Sequence, residues 1–201
     1  MASALDVVSE WASYGKEQAD VYGASPLLVE RWVNQAQLRF ATKSECLRAT
    51  WNPTIPSTGT IALPADFLRE FRDKVQWSTT QYLVKLDYPL AKILNISSTL
   101  NYSIWGGNFY VFAAAAGTPF IWYVKKPAVI THAGFGAAEL EIGTEYHGLL
   151  IDYLEARFRR HKGDEGGFAA FLKQFDMQAV DAGIEFSRRQ DALPIMRGNW
   201  F

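Results

Sequence analysis

Asp66 is the first residue whose setting could support chemistry. It lies in Gly59-Thr60-Ile61-Ala62-Leu63-Pro64-Ala65-Asp66-Phe67-Leu68, where a short β-like run meets a proline, an acid and then apolar residues. A carboxylate on such a loop could act as a general acid or base, but neither a histidine nor a lysine stands beside it as a partner. The stretch also has a structural reading. Pro64 cannot donate to a strand ladder and so ends the run. Asp66 can accept backbone N–H bonds at the start of a turn or short helix through "DFLREF". Leu63, Phe67 and Leu68 then anchor the turn in a core. We read Leu63, Pro64, Asp66 and Phe67 as a strand-to-helix corner.

The remaining reactive types are scattered. Glu139/Glu141 and Asp164/Glu165 are spaced for paired acid–base work, and 139 and 141 would share one side of a strand, as a solvated face also requires. His132, His147 and His161 share no familiar zinc-ligand spacing with a cysteine or with one another, so no metal is expected. His161 lies in "RFRRHK", where cations complement a helix C-terminus. Cys46, the only cysteine, excludes an internal disulfide and reads as a small packed residue rather than a nucleophile. The segment "GFGAAE" (134–139) opens like a dinucleotide fingerprint but lacks the third glycine and the strand–helix context, so no cofactor is expected. The one cationic cluster, Arg157, Arg159, Arg160 and Lys162, could touch a DNA backbone or a protein partner. Asp152, Glu155, Asp164 and Glu165 are close enough to make it a balanced, wet helix end instead.

The elements that must carry these residues fall into three zones. Of 201 residues, 49% are hydrophobic and 14% aromatic, with seven tryptophans, enough for a sizeable core and for interfaces besides. A net charge of −1 does not suggest a nucleic-acid binder held by a basic field. No apolar run is long enough to span a membrane. The N-terminal twenty residues have neither a basic start nor an apolar core of a secretion signal. Residues 3–20 look irregularly helical. A better helix begins at Ser25-Pro26, with Leu28, Val29, Trp32, Val33, Ala36 and Phe40 at helical spacing. The middle zone, about 52–140, reads as β from "QYLVKL", "LNYSIW", "NFYVFA" and "PFIWYV", with Gly106-Gly107-Asn108 as a tight hairpin turn. Between Ser78 and Phe135 only Lys85, Asp87, Lys92, Lys125 and Lys126 are charged, fewer than a sheet with one wet face normally shows. Either this is a small sandwich, or its outer face meets a partner.

The last zone is helical again. Tyr146, Leu149, Leu150, Tyr153, Leu154 and Phe158 form one apolar stripe, and Phe168, Phe171, Leu172, Phe175, Ala179 and Phe186 a second. Gly163 and Asp164 separate them, so the helices must pair as an antiparallel hairpin. The expected class is therefore α+β. Residues 1–50 and 143–190 make a small helical bundle, 51–142 an inserted antiparallel, sandwich-like β subdomain, and 191–201 an extended arm. Leu193, Ile195, Met196, Trp200 and Phe201 in that arm are too few to bury one another.

The order of these parts resembles the head-to-tail adaptor (connector, or head-completion) proteins of tailed bacteriophages. The resemblance runs over about residues 25–190: the helix "LLVERWVNQAQLRFA", a tryptophan-containing segment, a strand ending in Leu63-Pro64-Ala65-Asp66-Phe67, a β-rich middle, then "IGTEYHGLLIDYLEARF", a Gly-Asp linker and a long helix. It implies a virion structural protein without enzymatic activity or cofactor, made in the host cytoplasm and residing in the neck of the particle. Such proteins form a twelve-membered ring under the portal, extend the DNA channel and offer the tail or nozzle proteins an attachment surface. Genomic DNA passes without sequence-specific binding, and no membrane is involved. The resemblance also implies a portal-gripping C-terminal arm, here Leu193, Pro194, Ile195, Met196, Arg197, Trp200 and Phe201. A tail-completion or tail-tube-initiating protein is the neighbouring reading, and a carbohydrate-binding aromatic β-domain a more distant one.

Overall fold

The computed structural model describes residues 3–14, 26–78, 81–88, 101–112, 117–137 and 139–192. The chain divides into a helical unit, Met1–Leu47 with Lys126–Phe201, and a β unit, Arg48–Lys125. The class is α+β, with a single curled sheet.

In the helical unit, α1 (Ala4–Ser13) is started by a reciprocal cap: Ser3 Oγ accepts from the Asp6 amide at 3.3 Å, and Asp6 accepts from the Ser3 amide at 2.7 Å. That backbone bond holds the Asp6 carboxyl below the usual carboxylate range. Ala4, Val7, Val8 and Trp11, at helical spacing, are buried, and the Trp11 ring meets Trp32 and Phe158 edge-on at 6.3 and 6.0 Å. Helix α2 (Pro26–Ser44) buries Val29, Trp32, Val33, Ala36 and Phe40, as its periodicity predicts; Ser25, the expected cap, lies outside the described residues. Helices α3 (His147–His161) and α4 (Glu165–Ala192) run antiparallel: Tyr153 meets Phe175, Arg159 lies over Phe171, and Arg160 over Phe168. Asp164 caps α4 by accepting from the Gly167 amide at 2.8 Å, a bond that lowers its pKa. Helix α2 is tied to α4 by a two-pronged ion pair, Arg39 Nε and Nη2 donating to Asp176 at 2.6 and 2.7 Å.

The structure differs from the sequence expectation in where residues 126–142 belong. Ile130, Phe135, Leu140 and Ile142 are buried in the helical core. Asn34 on α2 holds the segment from both sides, donating to the Ile130 carbonyl at 2.8 Å and accepting its amide at 2.9 Å. Helix α4 likewise continues through Asp191 and Ala192, the first residues expected in the arm.

The β unit is one sheet of seven strands rather than two stacked layers. The strands are β1 (Arg48–Trp51), β2 (Thr60–Ala62), β3 (Phe67–Gln76), β4 (Tyr82–Lys85), β5 (Asn101–Trp105), β6 (Asn108–Val111) and β7 (Phe120–Lys125), in the order β1-β7-β3-β4-β5-β6-β2. All neighbours are antiparallel except β4 and β5. Curling replaces the second layer. Trp51 of edge strand β1 packs on Phe109 of β6 at 6.0 Å although four strands separate them in the order, and both join a core of Ile55, Val75, Leu83, Tyr102, Val111 and Ile121. Strand β3 supplies the bend, since its register against β7 slips between Phe67 and Arg69 and again between Glu70 and Val75. The β5–β6 hairpin turns on Gly106 and Gly107 at φ +56° and +78°, the left-handed pair a two-residue loop demands.

Candidate functional site

Each candidate can now be followed to its surroundings. Asp66 does not start a helix, because it lies in a turn and β3 begins at the next residue, Phe67. The Phe67 amide donates to the Pro64 carbonyl at 3.0 Å, so the corner joins two strands. The Asp66 carboxylate accepts from the Tyr123 hydroxyl at 3.0 and 3.2 Å, and Phe67 stacks on the Tyr123 ring at 5.3 Å. Burial, then this bond to Asp66, pushes the Tyr123 phenol up to about 12. The chain thus spends Asp66 on holding a tyrosine. An unfolded tyrosine ionises near pH 10. Above that pH the unfolded state gains from ionisation while folded Tyr123 does not, so stability is expected to fall between about pH 10 and 12. Ultraviolet titration should find one phenol ionising near 12 that is missing from Tyr123→Phe; identical titration curves would contradict the contact.

The other groups each have local partners. His147 is buried, with Nε2 3.1 Å from the Ile142 carbonyl. The His132 amide donates to Glu30 at 2.7 Å and its ring packs on Phe135, while the His161 ring lies against Trp32. Cys46 is half-buried, its Sγ 3.7 Å from the Ser44 carbonyl and 3.9 Å from that of Ala182. Glu139 and Glu141 are exposed on a loop rather than a strand, with Glu141 accepting from the Ala128 amide at 3.2 Å. Gly134 of "GFGAAE" closes a 3₁₀ turn (His132–Gly134) that leads into buried Phe135, and no strand directly precedes it. Among the described residues, no group of three or more His, Cys, Asp or Glu could hold a metal ion, and no helix is long and apolar enough to cross a membrane.

The basic run turns largely onto its own hairpin. Arg157 donates from Nε and Nη2 to the Tyr153 hydroxyl at 2.9 and 2.6 Å. Arg159 pairs with Glu155 at 2.8 Å and Asp164 at 3.1 Å, and Arg160 with Glu165 at 3.7 Å. Lys162 lies over Phe158 at 5.6 Å. The seven arm residues singled out in the sequence lie outside the described residues.

The exposed apolar side chains are more telling. On the β unit, Trp105 is 56% exposed and joins Tyr88, Tyr110 and Phe112 in a ring cluster whose centroids lie 4.3 to 6.4 Å from Tyr88. Val84 and Tyr82 are also exposed. On the helical unit, Met177, Val180 and Ile184 are exposed at i, i+3 and i+7 of α4. That stripe is interleaved along the helix with the buried residues Phe175, Ala179 and Ala182.

Exposed apolar side chains thus occur on both units, and Asp66, His147, Arg157, Arg159 and Arg160 have partners within their own unit. The family model described as SU10 adaptor protein matches residues 2–197. The chain belongs to that family, one of phage structural adaptors and not of enzymes, whose members associate with other components of the phage head or tail. No curated protein matches the chain.

Proposed function

We propose that the protein is a ring-forming adaptor that docks under the portal, prolongs the DNA channel and presents the surface to which the tail attaches. The family match over residues 2–197 carries this reading. Exposed apolar surface supports it, because a ring of identical subunits needs two different lateral faces that neighbours can cover. The Trp105–Tyr88 ring cluster and the Met177–Val180–Ile184 stripe suit those faces, since aromatic and long apolar side chains concentrate in interface centres. A net charge of −1 suits a channel that passes DNA without gripping it, because every neutralised phosphate adds affinity.

Residues 193–201 follow α4 with Leu193, Ile195, Met196, Trp200 and Phe201, of which Met196, Trp200 and Phe201 are of the types enriched at interfaces. Ending the chain after Ala192 should leave the helix and strand content by circular dichroism unchanged. Portal affinity should fall by roughly tenfold or more, the loss of about 1.4 kcal/mol or more of contact energy. Co-sedimentation with portal measures this, and undiminished attachment of the shortened chain would refute the arm. Localisation at the tail end of the particle instead would favour the tail-completion reading. Quenching of Trp105 fluorescence by sugar without portal attachment would favour the carbohydrate-binding one.

A further inference from the structure

We propose that, before the protein meets any partner, residues 193–201 fold back along α4 of the same chain and occupy a groove where α4 crosses the end of α2. The groove has a volume of about 340 Å³, and its lining includes Ser44, Val180, Gly183, Ile184, Ser187 and Arg188. Its floor exists because Gly183 lets the two backbones close up: a Cβ there would stand 2.3 Å from the Ser44 carbonyl oxygen. Its apolar wall is Val180 and Ile184, 43% and 47% exposed and without a covering element among the described residues.

The occupant follows from what the chain places next to this wall. Helix α4 ends at Ala192, about one turn beyond the groove's last lining residue, Arg188. The following residues carry five large apolar side chains and a single charge, Arg197. Pro194 disfavours a helical residue before it, and Gly198 sets no steric bar to a bend. Along the helix, Val180 lies roughly 18 Å back from Ala192 at ~1.5 Å per residue. Residues 193–201 reach up to about 30 Å when extended, so Trp200 and Phe201 can arrive at Val180 and Ile184. The groove thereby shields the arm's rings until a tighter apolar partner displaces them, which makes release of the arm part of docking. The fold-back is a property of the isolated chain and does not depend on the portal reading.

Disulfide trapping in the purified monomer tests it. In a Cys46→Ser background, Ser187→Cys places a thiol in the groove, and Asn199→Cys places one in the arm while keeping Trp200 and Phe201 intact. Arg189→Cys with Asn199→Cys is the control, two residues nearer the helix end but on another face of α4. We expect the groove pair to close within the monomer roughly tenfold faster than the control, as a raised local concentration dictates. Adding Ile184→Asp, at a surface position that leaves the core untouched, should erase the advantage. Equal rates for the two pairs, closure only between chains, or an advantage that survives Ile184→Asp would each overturn the proposal.

Discussion

Phe175→Ala is expected to destabilise the helical unit by about 3–5 kcal/mol, the cost of emptying a large aromatic site in a close-packed core. Phe175 is fully buried on α4 and packs its ring on Tyr153 of α3 at 5.2 Å. Tyr153 is itself buried and takes up Arg157 through its hydroxyl, so the pocket is walled by groups that cannot collapse into the gap. A loss of that size is a large part of the ~5–15 kcal/mol that keeps an ordinary domain folded. Urea melts followed by circular dichroism measure it, and a change below about 1 kcal/mol would mean that α4 presents a different face to α3. Phe171→Ala is the internal comparison. That ring is half-buried under the Arg159 guanidinium at 5.0 Å, so its removal should cost less than about 2 kcal/mol.

Gly183→Ala is the second large effect, and its sign is decided by competition. Alanine inside a helix is favoured over glycine by about 1 kcal/mol. Against this, the new methyl would lie 2.3 Å from the Ser44 carbonyl oxygen and 2.9 Å from the Ser44 Cα, closer than any real Cβ contact. Both atoms belong to the backbone of α2, so relief requires moving a helix that the Arg39–Asp176 pair holds in place. Overpacking of this kind costs about 1–3 kcal/mol or more, and with no flexible neighbour to yield we expect its upper end. The net loss should be about 2 kcal/mol in the same melts; an unchanged or raised stability would show that α2 and α4 are not in backbone contact.

The sequence was most legible where one periodicity governs an element. The buried faces of α2 and α3 follow from their apolar spacing, and the Gly106-Gly107 hairpin follows from the left-handed backbone that a two-residue turn requires. Strand β3 was not legible, because Phe67-Leu68-Arg69-Glu70-Phe71 mixes charges and rings without alternation and its two register slips break the period of two. Residues 126–142 carry isolated apolar anchors rather than a pattern, and only long-range bonds such as Asn34 to Ile130 show which core claims them. One curled sheet and two stacked sheets need the same alternation, so only the pairing order separates them. Asp66 was expected at a strand-to-helix corner and lies between two strands instead, and its partner Tyr123 is distant in sequence and had no local signal.

The surfaces were half visible. A charge-poor middle zone left open a sandwich or an outer face that meets a partner, whereas the Met177–Val180–Ile184 stripe was masked by the stronger buried stripe on the same helix. Together these faces leave the chain with exposed apolar surface, which the proposed ring would cover. Electron microscopy of the full-length protein mixed with purified portal tests that idea most directly. The account predicts closed rings seated coaxially beneath the portal, with subunits touching through those two faces. Protein that stays monomeric in the mixture and adds no density to the portal would contradict it.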